Sequence, residues 1–298
     1  MKSVLPVLVA TAVLPLALGG CVVVSGVDSQ GRLSREEKRF DVSGTAELKL
    51  TTFDGNIEVR GGDTKTVVVE IEKRGPTQEA VDELKVETKQ DGDRIEVEVK
   101  RPQTSVAIVG FGRVSPHARL TVTMPRNGTV VARSGDGAIS VTGINGRLEL
   151  RTGDGNVRAS DVNGPMLIAT GDGAVTIDNS DGDVDIDTGD GSVSVTGKLG
   201  VVKVHTGDGS ITFRADPGTS MKGDWSMITG DGGVAVYLPP DFSADLDAHT
   251  GDGVIRNDLK INSDDHDSNR RTLRGKLGSG GKLLKIRTGD GGIRLKES

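Results

Sequence analysis

A four-residue phrase recurs along this chain at a fixed interval. Ser-Gly-Asp-Gly stands at 134–137, and Thr-Gly-Asp-Gly at 152–155, 170–173, 188–191 and 206–209. The aspartates Asp136, Asp154, Asp172, Asp190 and Asp208 are therefore each 18 residues apart. A period of this length restricts the chain to a stack of like units, because one such unit cannot bury its apolar face alone. Further copies follow at wider spacing around Asp231, Asp252 and Asp290, and a degenerate copy lies upstream at 52–55.

The apolar residues keep the same period. Six before each Asp stand Val130, Leu148, Met166, Val184, Val202, Trp225, Leu246 and Leu284. The positions four before, three after and five after are equally apolar, and only Asn257 is polar in these four columns. Within a repeat apolar and polar residues alternate, which is the period of a strand and not of a helix. Each repeat thus holds two short strands, with Gly-Asp-Gly as the turn between them. A second turn falls at Gly146, Gly164, Gly182 and Gly200. The expectation is that glycine supplies positive φ at these corners. The fold class expected is all-β: a parallel β-solenoid, or β-helix, of about 18-residue two-strand coils. Coils would stack about 4.8 Å apart.

The N-terminal part reads differently. Residues 40–127 predict a β-rich cap, with strands over 46–50, 56–60, 66–72 and 94–100 and one short helix over 77–84. Asp91-Gly92 is a hairpin turn. Such a cap covers strand edges that a bare stack would leave open. The solenoid repeats take up 128–298, widened by insertions at 216–223, 239–244 and 258–281. The stretch 102–116, with its run Val106-Ala107-Ile108-Val109, reads as a buried strand or plug, or else as an exposed apolar loop that meets a partner.

Residues 1–20 read as a targeting segment and 21–39 as a tether. Leu18-Gly19-Gly20-Cys21 resembles a bacterial lipobox, and Cys21 is the single cysteine of the chain. That resemblance implies cleavage before Cys21, diacylation of its sulfur and a lipid anchor in the membrane. Val22 follows where a retention signal for the inner membrane would have Asp, so an outer-membrane home is expected.

The Thr-Gly-Asp-Gly turns, preceded by Leu-x-Leu-x-Thr and followed by alternating Val and Ile, resemble the bacterial putative-adhesin family of β-strand repeat proteins, a domain of unknown function. The resemblance covers roughly residues 40–297. It implies an extracytoplasmic β-solenoid without assigned catalytic residues.

Chemistry centres on the aspartate column: Asp136, Asp154, Asp172, Asp190, Asp208, Asp231, Asp252 and Asp290. Unit charges about 5 Å apart repel by roughly 1 kcal/mol in water. Two readings relieve this. Each carboxylate accepts N–H groups of its own turn and is otherwise solvated, or calcium bridges the ladder as in β-rolls. The first needs no cofactor. The threonines before each turn read as a structural hydroxyl ladder. His205 and His249 share one outward column, which raises a metal pair against a plain solvated face. Asp264-Asp265-His266-Asp267 lacks the spacing of a calcium loop and reads as a solvated loop. No catalytic constellation stands out. A net charge of −6 and 2% aromatic residues argue against a nucleic-acid partner. The function expected is a non-enzymatic binding or structural role in the cell envelope, as an adhesin with a glycan or protein partner. The alternatives are an envelope-stress signalling component and a polysaccharide-acting β-helix enzyme.

Overall fold

The computed structural model of the chain describes residues 22–28, 31–100, 115–262 and 270–298. The described chain is all-β apart from one short helix. Its first strands are β1 (Val22–Asp28), β2 (Gly31–Asp41), β3 (Ala46–Thr52), β4 (Ile57–Gly62) and β5 (Thr66–Gly75). Helix α1 (Gln78–Asp82) leads to β6 (Val86–Asp91), β7 (Arg94–Val99) and β8 (His117–Pro125). The regular repeats supply β9 (Gly128–Arg133), β10 (Ile139–Thr142), β11 (Leu148–Arg151), β12 (Val157–Ser160) and β13 (Met166–Thr170). Two long strands, β14 (Val175–Thr188) and β15 (Val193–Thr206), each run on from one repeat into the next. Then come β16 (Ile211–Ala215), β17 (Trp225–Thr229), β18 (Val234–Leu238), β19 (Ala244–Thr250) and β20 (Ile255–Asn257). The last are β21 (Ile261–Asn262), β22 (Thr272–Leu277), β23 (Leu283–Thr288) and β24 (Ile293–Glu297).

Strands before the turns pair with one another, and so do strands after them. Leu148 lies beside Val130 and Met166, and Val157 beside Ile139 and Val175, all in parallel register. The two faces enclose one apolar core. All four apolar columns are buried from Val130 to Leu295, with two exceptions, the half-buried Ile255 and Asn257. Both lie on β20, which pairs with β24 on one side and has no strand on the other among the described residues; there the Arg270 carbonyl accepts from the Ile255 N–H at 2.9 Å. Asn257 instead closes its own turn, donating to the carbonyl of Leu259 at 3.0 Å and accepting from its N–H at 3.1 Å.

The stacking order departs from the chain order at both ends. β7 and β8 pair with the outer edges of β3 and β4, while β9 and β10 take the inner edges. At the other end β23 and β24 lie between the β17–β18 pair and the β19–β20 pair. The wide spacing from Asp252 to Asp290 is therefore the length of chain that leaves the end of the stack and returns one layer further in. Part of it, β22, pairs antiparallel with β19 and closes that face. Asp247 on β19 accepts from Arg274 at 3.2 Å and from Arg287, tying both neighbours to the strand between them. Burial pushes the Asp247 carboxyl up, but the two arginines outweigh it and hold it below the usual range.

The helix forms where the sequence predicts it. Thr77 caps it, accepting from the N–H of Ala80, and Ala80 and Val81 turn inward. The Asp91-Gly92 hairpin is also present, with Gly92 at φ 58°. The tether reading of 21–39 does not hold for the described part. β2 pairs antiparallel with β5 from Arg32–Gly75 to Asp41–Thr66. Charged residues on both sides of β2 hide its alternation in the sequence. They are satisfied by partners on β5, Arg35 with Glu72 at 2.9 Å and Glu36 with Lys73 at 2.6 Å. Three of the few aromatic rings gather: Trp225 meets Phe213 edge-on and Phe242 at a tilt, centroids 5.0 and 5.2 Å away, and its Nε1 donates to the Gly200 carbonyl. The insertions at 216–223 and 239–244 lie beside this enlarged part of the core. The readings placed on Cys21, on most of 102–116 and on Asp264 to Asp267 lie outside the described residues.

Candidate functional site

Each Gly-Asp-Gly turn is preceded by a hydroxyl residue, Ser134 at the first and threonine at the others, that ties it to the neighbouring turn. Thr152 Oγ1 lies 3.1 Å from the carbonyl of Gly135 and 2.9 Å from that of Gly137, both in the neighbouring turn. Thr170, Thr188, Thr206 and Thr229 repeat the arrangement, and all are buried. The hydroxyl also accepts from its own turn, as from Gly209 N–H to Thr206 at 3.2 Å. The ladder follows space and not sequence: Thr250 reaches Gly291 at 2.7 Å, and Thr288 reaches Gly232 at 2.8 Å.

The glycines of these turns are not there for positive φ. That conformation is found at Gly146, Gly164 and Gly182 of the opposite corner, with φ of 151°, 149° and 142°, but not at Gly200 or at Gly137, Gly155, Gly173, Gly191 and Gly209. What excludes a side chain in the second group is contact between layers. A Cβ on Gly155 would lie 2.2 Å from the carbonyl oxygen of Gly137. At Gly153, Gly171, Gly189, Gly207 and Gly230 the first glycine of the turn also lies against the carboxylate of the neighbouring layer: a Cβ on Gly153 would lie 3.0 Å from Asp136 Oδ1.

The aspartates Asp136, Asp154, Asp172, Asp190, Asp208, Asp231, Asp252 and Asp290 are all exposed and form a single file, with Asp290 stacked between Asp231 and Asp252. Of the two readings of the ladder, the first has each carboxylate accepting N–H groups of its own turn; at four turns a hydroxyl takes such an N–H instead, that of Ser134, Thr206, Thr250 or Thr288. Asp252 pairs with Arg271 at 3.2 Å. Among the described residues, no group of three His, Cys, Asp or Glu side chains is close enough to hold a metal ion. His205 and His249 are separated in their column by Ile228 and Arg287, three layers or roughly 14 Å apart, too far to share an ion. The solvated reading of the ladder leads to a test. Asp172→Asn is expected to change stability by less than about 0.5 kcal/mol, and millimolar calcium to leave the melting temperature unmoved. A chelator-reversible rise with calcium that shrinks in Asp172→Asn would show that cations bridge the ladder.

The outward side of the second face carries a feature the sequence reading passed over. Ser140, Arg158, Thr176, Ser194 and Thr212 lie side by side on successive layers. Thr142, Ser160 and Thr196 flank them, the first two 3.1 Å apart between hydroxyls. The signal was present in the polar half of the alternation, where Ser and Thr recur with the same period.

Among curated proteins none matches the chain. Solved structures that align with most of the chain do so at low identity. A protein called a putative lipid binding protein, from Parabacteroides distasonis, is 14% identical, with 88% of this chain and 96% of that one aligned at a TM-score of 0.49. A putative adhesin from Parabacteroides merdae is 9% identical over 88% and 95%, with a TM-score of 0.45. A putative cell adhesion protein from Clostridium sporogenes is 12% identical over 89% and 100%, with a TM-score of 0.29. The family model described as Toastrack DUF4097 matches residues 45–296, and the chain belongs to that family.

Proposed function

We propose that this chain is a lipid-anchored envelope protein, built as a parallel β-solenoid of 18-residue coils, that binds an extended polymer without cleaving it. The observation that carries the reading is the hydroxyl array of the second face. Ser140, Thr176, Ser194 and Thr212 stand in parallel register on a strand stack of fixed rise, about 4.8 Å per layer. A periodic, rigid face matches a periodic ligand, because each further unit adds contacts without further ordering of the protein. Cell-envelope and cell-surface glycans have that character. The lipobox and Cys21 support placement on a membrane, the outer one by the residue at Val22.

The anchor and the binding role have separate tests. A fatty-acid analogue fed to expressing cells is expected to label the chain, and Cys21→Ser to lose the label completely; a mutant still labelled overturns the anchor. On a glycan array the full chain is expected to retain polymeric glycans, with no new reducing ends released. Release of reducing ends would make it an enzyme instead.

A further inference from the structure

The second face ends in a groove of about 350 Å³, floored by Gly233, Ala235 and Gly292 and walled by Thr212, Arg256 and Arg294. Arg256 and Arg294 lie directly opposite one another on β20 and β24. Like charges in that position repel, and the chain elsewhere supplies a carboxylate for the same arrangement. Arg133 and Arg151 are also directly opposed, and Glu149 sits on both at 3.0 and 3.4 Å. Nearby cations of the groove's end are partnered too, Arg214 over the Tyr237 ring at 4.2 Å and Lys296 with Asp258 at 4.0 Å. Arg256 and Arg294 have no such partner among the described residues and are exposed. Beside them Val254, 47% exposed, adds an apolar wall.

We infer that this groove binds a carboxylate-bearing sugar unit of an acidic polysaccharide, the carboxylate taking the place between Arg256 and Arg294 that Glu149 takes between Arg133 and Arg151. The arginine fork matches a carboxylate with two parallel hydrogen bonds. The floor of Gly and Ala admits a flat ring, the Thr212 hydroxyl stands at its edge, and the volume is that of a small-ligand site. An anionic bilayer would meet a flat or convex basic surface; a concave floor flanked by two arginines fits a compact unit of a chain. The hydroxyl columns run on from Thr212 and continue the track for the rest of the polymer. The inference rests on the binding role proposed above and assigns its ligand class.

The test uses the full lipidated chain in detergent, with oligogalacturonate as probe and a neutral maltooligosaccharide as control. Oligogalacturonate is expected to bind and the neutral sugar to bind at least tenfold more weakly. Arg256→Gln and Arg294→Gln should each weaken binding tenfold or more, as should Ala235→Phe, which fills the floor and keeps both charges. Arg151→Gln, on the other face and already paired with Glu149, should change affinity less than twofold. Oligogalacturonate affinity unchanged in all three groove variants, or equal affinity for the neutral sugar, overturns the inference. So does phosphatidylglycerol-vesicle binding that depends on Arg256 and Arg294 while oligogalacturonate fails to bind. Retention of other glycans without any uronate binding would overturn the groove and leave the binding role standing.

Discussion

Ile177→Asp is expected to destabilise the fold by about 4 kcal/mol or more, while Thr176→Asp, one residue away, shifts stability by less than about 0.5 kcal/mol. Ile177 is fully buried, stacked between Ala159 and Val195. A carboxylate there has apolar neighbours above and below and no cation in the column to pair with it. Such a charge either stays unpaired in the core or is neutralised at the expense of its pKa, and both routes cost several kcal/mol. Thr176 points outward between Arg158 and Ser194, where an added carboxylate meets a guanidinium and solvent. Chemical denaturation of the two variants decides the matter. Equal midpoints would mean that the inward and outward columns are wrongly assigned.

Gly173→Ala is the second substitution with a large expected effect, about 3 kcal/mol of destabilisation, at the upper end for overpacking. Its new Cβ would lie 2.0 Å from the carbonyl oxygen of Gly155 and 2.8 Å from Thr170 Oγ1. Relief requires that two backbone layers separate, which also breaks the hydroxyl ladder from Thr170 to the Gly153 and Gly155 carbonyls. Gly92→Ala is the contrast. Its φ of 58° belongs to the left-handed region, yet a Cβ there meets nothing within 4 Å. Only the conformational penalty remains, about 1 kcal/mol. Thermal unfolding should therefore rank Gly173→Ala well below Gly92→Ala. The reverse order would return the turn glycines to a conformational role and remove the close contact between layers.

The sequence carries the local structure well and the long-range order poorly. The alternation around each Asp names every residue of the buried columns, because one face of each strand must be apolar. Even the exception, Asn257, is explained by its place on the last layer. The order of the layers is another matter. Leu48, Val130, Leu284 and Leu246 are interchangeable as column members, so nothing in their identity says that β23 inserts between β17 and β19. A chain returning to fill an inner layer has the same pattern as one that simply continues. β2 was missed because its charges pair on both sides, and pairing is a property of the neighbour on β5.

The turn chemistry was legible only in part. Every turn has a hydroxyl before its glycine, and the one departure from threonine among them, Ser134, keeps the hydroxyl and uses it: Gly137 N–H donates to Ser134 Oγ at 3.0 Å. The threonines read from sequence as a structural hydroxyl ladder are one; what the period alone does not give is their partners, the carbonyls of the neighbouring turn. For the groove, Arg256 and Arg294 lie 38 residues apart in a part of the chain whose layer order the period does not give. Their juxtaposition is visible only once β20 is placed beside β24.

The claim on which the account rests is that 18 residues make one closed layer. Removing residues 157–174 deletes 18 residues and joins Asn156 to Val175, which then takes the column place of Val157. Each layer contacts only its neighbours, so a whole layer can leave without breaking the register of the others. Removing residues 157–173 deletes 17 and turns the following strand inside out. Circular dichroism with thermal unfolding should show a β-rich protein with a cooperative transition for the 18-residue deletion and none for the 17-residue deletion. Two deletions that fold equally well, or that both fail, would contradict the 18-residue layer.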